Sequence, residues 1–272
     1  MQGLREFIPT ERKIAYINKL LKVGYHSIDF GSFVSKEVIP QMADTAQVLE
    51  GLQLDGVSTQ LIAIIANERG ALEACKHANI HYLGFPFSIS ETFQRRNANS
   101  TIAQSVERVK RIQELCTQSH KELILYISMG FGNPYGDPYN PEIVSHWMTD
   151  LKSLGIRIFM LSDTVGVALP DTIRYLFSSL IPAFPDLEIG AHLHTAPHNW
   201  KVKVDAAYQN GCRRFDAAIK GYGGCPMAKD ELIGNMATEN LINYFSAEQL
   251  GPAFSIPNFE ESLREANTLF PH

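Results

Sequence analysis

The chain has 272 residues, of which 45% are hydrophobic, and its formal net charge is −5. This length suits one large core, as in a single α/β barrel, and the acidic balance argues against nucleic acid or an anionic membrane surface as a partner. No apolar run approaches the roughly 18 residues that span a bilayer, and the first residues lack the apolar stretch of a signal peptide. The four cysteines are widely spaced and form no CxxC pair, which favours reduced thiols and a cytoplasmic location.

Short apolar runs alternate with longer amphipathic stretches along the chain. The runs predicted as strands lie at residues 27–31, 58–65, 81–87, 122–129, 156–161, 187–194 and 213–217. The stretches predicted as helices lie at residues 10–23, 68–78, 101–119, 141–154, 171–181, 201–210 and 258–269. This alternation, with strands that are apolar on both faces, predicts an α/β fold of the TIM (β/α)8-barrel type. We expect one catalytic barrel over residues 1–245, with residues 246–272 as a C-terminal tail that packs on it.

Seven strands are predicted where a closed barrel of this type has eight. The chain opens with a helix, so the first strand is missing, and the strands at 27–31 and 213–217 would have unpaired edges. Such edges favour association into a homo-oligomer. We expect that the coding sequence begins further upstream, or that another part of the protein covers the gap.

In barrels of this type the active site lies at the carboxyl ends of the strands, so polar groups at those ends are the candidates. His192 and His194 end the sixth predicted strand, and residues two apart on a strand point to the same side. Two imidazoles, completed by oxygen ligands, can bind a divalent metal. The alternative is that both histidines only bond to backbone carbonyls, and the pair by itself leaves both interpretations open.

Further candidates follow the other strands. Cys225 comes after three glycines, in a loop that could place a thiol over a site or could be a turn with an incidental cysteine. Asn235 could cap the next helix or offer its oxygen to a metal. Asp163 is either a carboxylate at the barrel mouth or a turn residue, while Asp29 lies in an apolar strand and needs a cation partner. A modest basic group, either a contact for an anionic substrate or a solvated face, consists of Lys201, Lys203, Arg213, Arg214 and Lys220.

Several segments together resemble the 3-hydroxy-3-methylglutaryl-CoA lyase family, one of the metal-dependent barrels related to pyruvate carboxylase and isopropylmalate synthase. The matching segments are SFVS at 32–35, PQM at 40–42, SISETF at 88–93, RN at 96–97, SDTVG at 162–166, AHLH at 191–194, GYGGCP at 221–226 and GNMATE at 234–239. The cysteine loop is the most specific of these segments, because the related condensing enzymes do not share it.

The resemblance implies cleavage of 3-hydroxy-3-methylglutaryl-CoA to acetyl-CoA and acetoacetate, with Mg²⁺ or Mn²⁺ as a Lewis acid. It also implies an acyl-CoA substrate and a setting such as leucine degradation or ketone body metabolism. The implied metal ligands are His192, His194 and Asn235. The implied catalytic residues are Cys225, Asp163, His192 and Asp29. The implied substrate contacts are Gln2, Ser32, Asn97 and Thr164.

The chain departs from the family pattern in three places. The family's first strand ends in an Arg-Asp pair that binds the metal and stabilises an enolate, and neither residue stands before Gln2. Thr195 replaces an aspartate, and the loop from Cys225 to Asn235 is slightly longer than usual. Losing such a cation costs about 10²-fold or more in rate, so we expect impaired activity. The alternatives are a Claisen-type condensing enzyme, such as an isopropylmalate or citramalate synthase, and a non-catalytic barrel that binds CoA or a partner chain.

Overall fold

A computed structural model describes residues 1, 4, 6–223, 234–247, 250–251 and 253–270 of the chain. The strands are β1 (Ser27–Ser32), β2 (Gln60–Ile64), β3 (Ile80–Ser88), β4 (Glu122–Ser128), β5 (Ile158–Ser162), β6 (Glu188–His192) and β7 (Phe215–Asp216). The helices are α1 (Thr10–Leu20), α2 (Thr45–Glu50), α3 (Glu68–Cys75), α4 (Glu91–Ala98), α5 (Ile102–Gln118), α6 (Pro141–Ser153), α7 (Pro170–Ala183), α8 (Trp200–Tyr208), α9 (Thr238–Ala247) and α10 (Ile256–Leu269). Among these helices none is both long and apolar enough to cross a membrane.

The strands form one parallel sheet in chain order, in which each strand pairs with the next. Parallel neighbours need a crossover connection, and the helices between consecutive strands provide it. The pairing is longest between β3 and β4 and is reduced to two residue pairs between β6 and β7. Within the described residues, β1 and β7 are the two edges of this sheet. The predicted α/β barrel architecture with seven strands is confirmed.

The sheet buries apolar side chains on both faces, as the composition of its strands predicts. In β4, Leu125 and Ile127 belong to the main core between the sheet and the helices, whereas Ile124 belongs to a smaller cluster on the opposite face. Successive strand residues point to opposite faces, so this smaller cluster lies inside the curl of the sheet. Its buried members are Ile62, Tyr82, Ile124, Ile158 and Met160. They fill the barrel interior below the carboxyl ends of the strands.

Helix α10 packs along α1 and connects the two edges of the sheet. A third apolar cluster joins Tyr16 of α1 to Ile242 of α9 through Phe259 and Phe270, and the rings of Tyr16 and Phe270 meet edge to face with centroids 5.7 Å apart. Lys19 adds two ion pairs to α10, at 2.9 Å and 3.2 Å from glutamate oxygens. The helices therefore link the β1 side to the β7 side by packing rather than by strand pairing.

Candidate active site

The two histidines of β6 lie side by side at the carboxyl end of the sheet. Their ring centroids are 5.5 Å apart, as the two-residue spacing on a strand predicts. His192 Nδ1 lies 3.1 Å from Asp216 Oδ2, which leaves Nε2 of the same ring free of that contact. A carboxylate that holds one ring nitrogen orients the imidazole and fixes which nitrogen faces the site. His192 is thus poised either to take a proton or to bind a metal through Nε2.

A tyrosine from β4 lies beside both Asp216 and His192. The Tyr126 hydroxyl lies near the Asp216 carboxylate, and its ring meets that of His192 edge to face with centroids 5.7 Å apart. Burial raises the pKa of Tyr126 well above its ordinary value, so the phenol keeps its proton. Tyr126 and Asp216 therefore both border the His192 ring inside the barrel mouth.

His194 is paired with Asn235 through a short antiparallel bridge. The bridging hydrogen bonds run from Thr195 N to Gly234 O at 2.9 Å and from Met236 N to Leu193 O at 3.0 Å. These bonds flank His194 and Asn235 without using their own backbone groups. In such a non-hydrogen-bonded pair the side chains stand closest together, and the His194 ring does contact the Asn235 amide.

Burial lowers the pKa of His194 to about 3. The imidazole is therefore neutral at any physiological pH, which is the form that binds metals. The Asn235 Nδ2 group donates to the Tyr222 carbonyl at 3.0 Å. This hydrogen bond fixes the orientation of the amide. The imidazole is thus in its neutral form, and the Asn235 amide is held beside it.

Glycines bring the Asn235 segment close to the end of the last strand. A Cβ on Gly221, whose φ is +67°, would lie 2.7 Å from the Asn235 carbonyl oxygen, and a Cβ on Gly234 would lie 2.8 Å from the Gly221 carbonyl oxygen. Only residues without a side chain allow this approach. The glycines that the sequence singles out near Cys225 thus help to place Asn235. Cys225 itself lies outside the described residues.

Asp29 stands across the barrel mouth on β1. Its carboxylate stays accessible to water, although protein atoms surround it inside the curl of the sheet. Burial, with a smaller contribution from the negative charge of Asp216, raises the pKa of Asp29 to about 7. The strand carries a bulge between Asp29 and Gly31, which is one way in which strands re-aim a side chain near a site.

We expect Asp29→Asn to stabilise the metal-free protein at high pH. In the wild type the folded carboxyl keeps its proton up to about pH 7, while the unfolded chain ionises near its ordinary value of 3.8. The folded state then binds more protons, so the free energy of unfolding falls as pH rises between these values. Because water screens the carboxylate, the gain at about pH 8 should be only about 1 kcal/mol, and none is expected at about pH 4.

Urea unfolding of both proteins at these two pH values measures this effect. Asp186→Asn is a suitable contrast, since the hydrogen bond from Lys152 lowers the pKa of Asp186; removing that carboxylate should not stabilise the protein at either pH. A gain that is equal at both pH values would contradict the titration of Asp29.

Asp163 follows β5, at the strand end where the sequence predicts a carboxylate. Both of its oxygens are engaged: Oδ1 accepts from Ala168 N at 2.9 Å, and Oδ2 accepts from Lys203 Nζ at 2.7 Å. The pair is buried, with side-chain exposures of 0% for Asp163 and 3% for Lys203. Burial raises the pKa of Asp163, and the neighbouring Lys203 ammonium offsets part of that effect.

The other predicted substrate contacts differ in their exposure. Ser32 is buried, and its hydroxyl accepts a hydrogen bond from Val34 N at 3.1 Å. Thr164 is also buried, and its hydroxyl accepts from Met129 N at 2.8 Å, so it ties the end of β4 to the end of β5. Asn97 lies on α4 with an exposed side chain. Gln2 lies outside the described residues.

The basic residues of the sequence do not form one surface. Lys203 is paired with Asp163, and Arg214 lies inside the sheet with its Nη1 3.1 Å from Glu188 Oε1. Arg213 donates to the Tyr208 and Cys212 carbonyls. Because Lys203 and Arg214 are held inside the fold, the five residues cannot form one contact surface for an anionic substrate.

Two residues of the site, Asp216 and Tyr126, are absent from the sequence-based prediction, and Lys203 appears in it only as a member of the basic group. Asp216 ends a predicted strand, so the rule that selects His192 could also have selected it. Tyr126 falls inside a strand that is apolar on both faces, where a tyrosine has an ordinary place in the core. Lys203 lies on an amphipathic helix, where a lysine gives no sign of burial.

The donor chemistry of this strand end suits a divalent metal. His192 offers Nε2, His194 is neutral, and Asn235 adds an amide oxygen. Over the described part of the chain, no group of three His, Cys, Asp or Glu side chains converges to hold an ion. A metal here would thus rest on two imidazoles and one amide.

These features define a parallel α/β barrel with a candidate metal and proton-transfer site at the carboxyl ends of its strands, as in barrel enzymes generally. The chain belongs to the HMGL-like family, whose model matches residues 1–263. Divalent-metal dependence is general in this family. The prediction of the family and of a lyase-type enzyme is thereby confirmed.

Relatives and solved structures agree with this assignment. The cytoplasmic 3-hydroxy-3-methylglutaryl-CoA lyase of Rattus norvegicus is 32% identical over 89% of this chain and 70% of its own length. The hydroxymethylglutaryl-CoA lyase structure from Pseudomonas aeruginosa has a TM-score of 0.91 at 26% identity, covering 100% of this chain and 90% of that one. An Acinetobacter baumannii HMG-CoA lyase, solved with coenzyme A and 3-methylmalate, has a TM-score of 0.89 at 30% identity, covering 98% of this chain and 87% of that one.

Proposed function

We propose that this protein cleaves 3-hydroxy-3-methylglutaryl-CoA to acetyl-CoA and acetoacetate, with Mg²⁺ or Mn²⁺ at the barrel mouth. The observation that carries the proposal is the His192–Asp216 pair beside the His194–Asn235 pair. The first pair suits proton transfer and the second suits a metal ligand set. The lyase names of the relatives, and the coenzyme A bound to the Acinetobacter baumannii structure, support an acyl-CoA substrate.

In this proposal His192 is the base that removes the proton from the substrate's C3 hydroxyl. Asp216 stabilises the imidazolium that results, and Tyr126 lies beside Asp216. The C2–C3 bond then breaks: its electron pair stays on C2 as the enolate of acetyl-CoA, and the C3 carbon becomes the ketone of acetoacetate. Cys225 is the proposed donor of the proton that the enolate takes up. A divalent metal held by His194 and Asn235 would polarise the hydroxyl and carbonyl oxygens of the substrate.

The remaining site residues have supporting places in this proposal. Asp29 faces His192 across the mouth, where its carboxyl, with a pKa raised to about 7, is a second group that can exchange a proton with the substrate. His194 and Asn235 are the proposed metal ligands; His192 Nε2 can join them only when it is not acting as the base, because Asp216 holds Nδ1 of the same ring. Asn97 is exposed and free to meet the substrate, whereas Ser32 and Thr164 shape the rim through backbone hydrogen bonds. Gln2 is proposed as a further substrate contact.

We also propose a cytoplasmic location and a homo-oligomeric state for this protein. The cytoplasmic relative in Rattus norvegicus supports the first. The strand edges at β1 and β7 support the second, because unpaired edges favour association. Sedimentation velocity of the purified chain measures the oligomeric state directly.

Acetoacetate release from 3-hydroxy-3-methylglutaryl-CoA, measured with and without Mn²⁺, tests the reaction. We expect Mn²⁺-dependent release, and we expect Cys225→Ala to lower kcat by about 10²-fold or more, because a proton donor of this kind contributes about that much. Cys75→Ala is the matched control, since Cys75 lies on α3 with its thiol near the Leu115 carbonyl. Full activity of Cys225→Ala would contradict the lyase and favour a condensing enzyme. The assay also measures whether turnover is impaired, as the sequence predicts.

A further inference from the structure

Lys203 connects the ends of two neighbouring strands from below the site. The side chain rises from α8 and is almost completely buried, with 3% exposure. Its Nζ donates to Asp163 Oδ2 at 2.7 Å, to the His194 carbonyl at 2.9 Å and to the Gly166 carbonyl at 3.3 Å. An ammonium group has three hydrogens to donate, so these three acceptors, which come from the ends of β5 and β6, use all of them.

The contact with the His194 carbonyl has a particular geometric basis. The bridge between His194 and Asn235 is of the kind that uses the backbone groups of the flanking residues only. The His194 carbonyl is therefore left pointing away from Asn235, where Lys203 meets it. This hydrogen bond fixes the backbone of His194, whose ring stands beside the Asn235 amide.

Asp163 completes the same arrangement from the other strand. Its backbone N–H donates to the His192 carbonyl at 2.9 Å, and its side chain is fully engaged by Lys203 and Ala168 N. The carboxylate is completely buried and accepts a hydrogen bond on each oxygen, so it is not exposed to a substrate proton. The base proposed above is the His192 ring. Asp163 and Lys203 therefore act on the site through the backbone of His192 and His194.

We infer that Lys203 is a positioning residue: by bonding the His194 carbonyl and Asp163 together, it sets the place of the His194 ring against Asn235 and so the metal affinity of the site. This inference rests on the proposed metal-dependent function. The alternative is that Lys203 only neutralises the buried carboxylate of Asp163, in which case removing both charges together would leave the site intact.

The double variant Lys203→Met with Asp163→Asn distinguishes a positioning role from charge neutralisation alone. It leaves no buried charge without a partner, but it lacks the bond to the His194 carbonyl. Lys13→Met with Asp44→Asn is the matched control, because Lys13 is another buried lysine, 2.7 Å from Asp44 and bonded to the Gln41 carbonyl. We expect the Kd for Mn²⁺, measured by electron paramagnetic resonance, to rise about tenfold in the first variant and to stay unchanged in the control.

A second measurement does not depend on the metal. Long-range ¹H–¹⁵N spectra of the metal-free protein should show shifted ring signals of His194 in the Lys203 double variant and unshifted ones in the control. Unchanged Mn²⁺ affinity together with unshifted His194 signals would overturn the inference. Failure of the wild type to bind Mn²⁺, with the His194 signals still shifted in the double variant, would overturn the proposed metal site and leave the positioning role standing. If the methionine variant does not fold, Lys203→Leu with Asp163→Asn takes its place, since leucine also has no donor for the His194 carbonyl.

Discussion

His192→Gln is expected to lower kcat for acetoacetate formation by about 10³-fold, within the range that a positioned general base contributes. Glutamine cannot accept and return a proton at neutral pH, so the Asp216 carboxylate would face a group that it cannot help to ionise. The loss should fall mainly on kcat, because the residues that would bind the acyl-CoA are unchanged. Initial rates at several substrate concentrations, with Mn²⁺ at saturation, measure it.

A matched control exists on the outer surface of the barrel. His146 Nε2 lies 3.6 Å from Asp150 Oδ2, and both side chains are exposed on α6. His146→Gln therefore removes a histidine next to an aspartate without touching the barrel mouth, and its kcat should equal that of the wild type. Asp216→Asn should fall between the two, since it removes the charge that stabilises the imidazolium but keeps the base. A His192→Gln protein as active as the control would eliminate His192 as the base.

Lys203→Met alone should lower the free energy of unfolding by about 3–5 kcal/mol, which is the usual effect of removing one partner of a buried ion pair. The Asp163 carboxylate, with 0% side-chain exposure, would be left without its cation. The penalty comes from this unpaired charge more than from the lost contact itself. Urea unfolding at neutral pH, followed by circular dichroism, measures the change.

Adding Asp163→Asn to this variant should recover most of the lost stability, because a neutral pair can be as stable as a buried ion pair. Recovery of stability together with the weakened Mn²⁺ affinity would show that Lys203 has two separable effects. If Lys203→Met alone leaves the unfolding free energy unchanged, the carboxylate is not paired with Lys203 in solution.

The strand order could be read from the sequence because parallel strands buried on both faces are apolar over their whole length. All seven strands were predicted at the right places, with ends that differ by a few residues. The helices α2, α4 and α9 were not predicted. Helix α2 has 6 residues, which is too short for a clear amphipathic period. Helix α4 has 8 residues but only one large apolar side chain, Phe93, so it shows no such period either.

The candidate site could be predicted only in part. His192, His194 and Asp163 stand at strand ends in the sequence, so a rule about strand ends finds them. Their partners come from distant parts of the chain: Asp216 is 24 positions from His192, and Lys203 is 40 positions from Asp163. No local pattern records such a pairing.

The sequence by itself determined the alternation of strands and helices, the side of the sheet that carries the site, and the spacing that brings two imidazoles together. These follow from periodicity, which is a property of neighbours along the chain. Only the tertiary structure decided that Asp163 is an engaged ion-pair partner, that Asp216 orients His192, and that Lys203 bonds the His194 carbonyl. The physical reason is that protonation and orientation depend on burial and on the nearest charges, which the fold supplies from residues far apart in sequence.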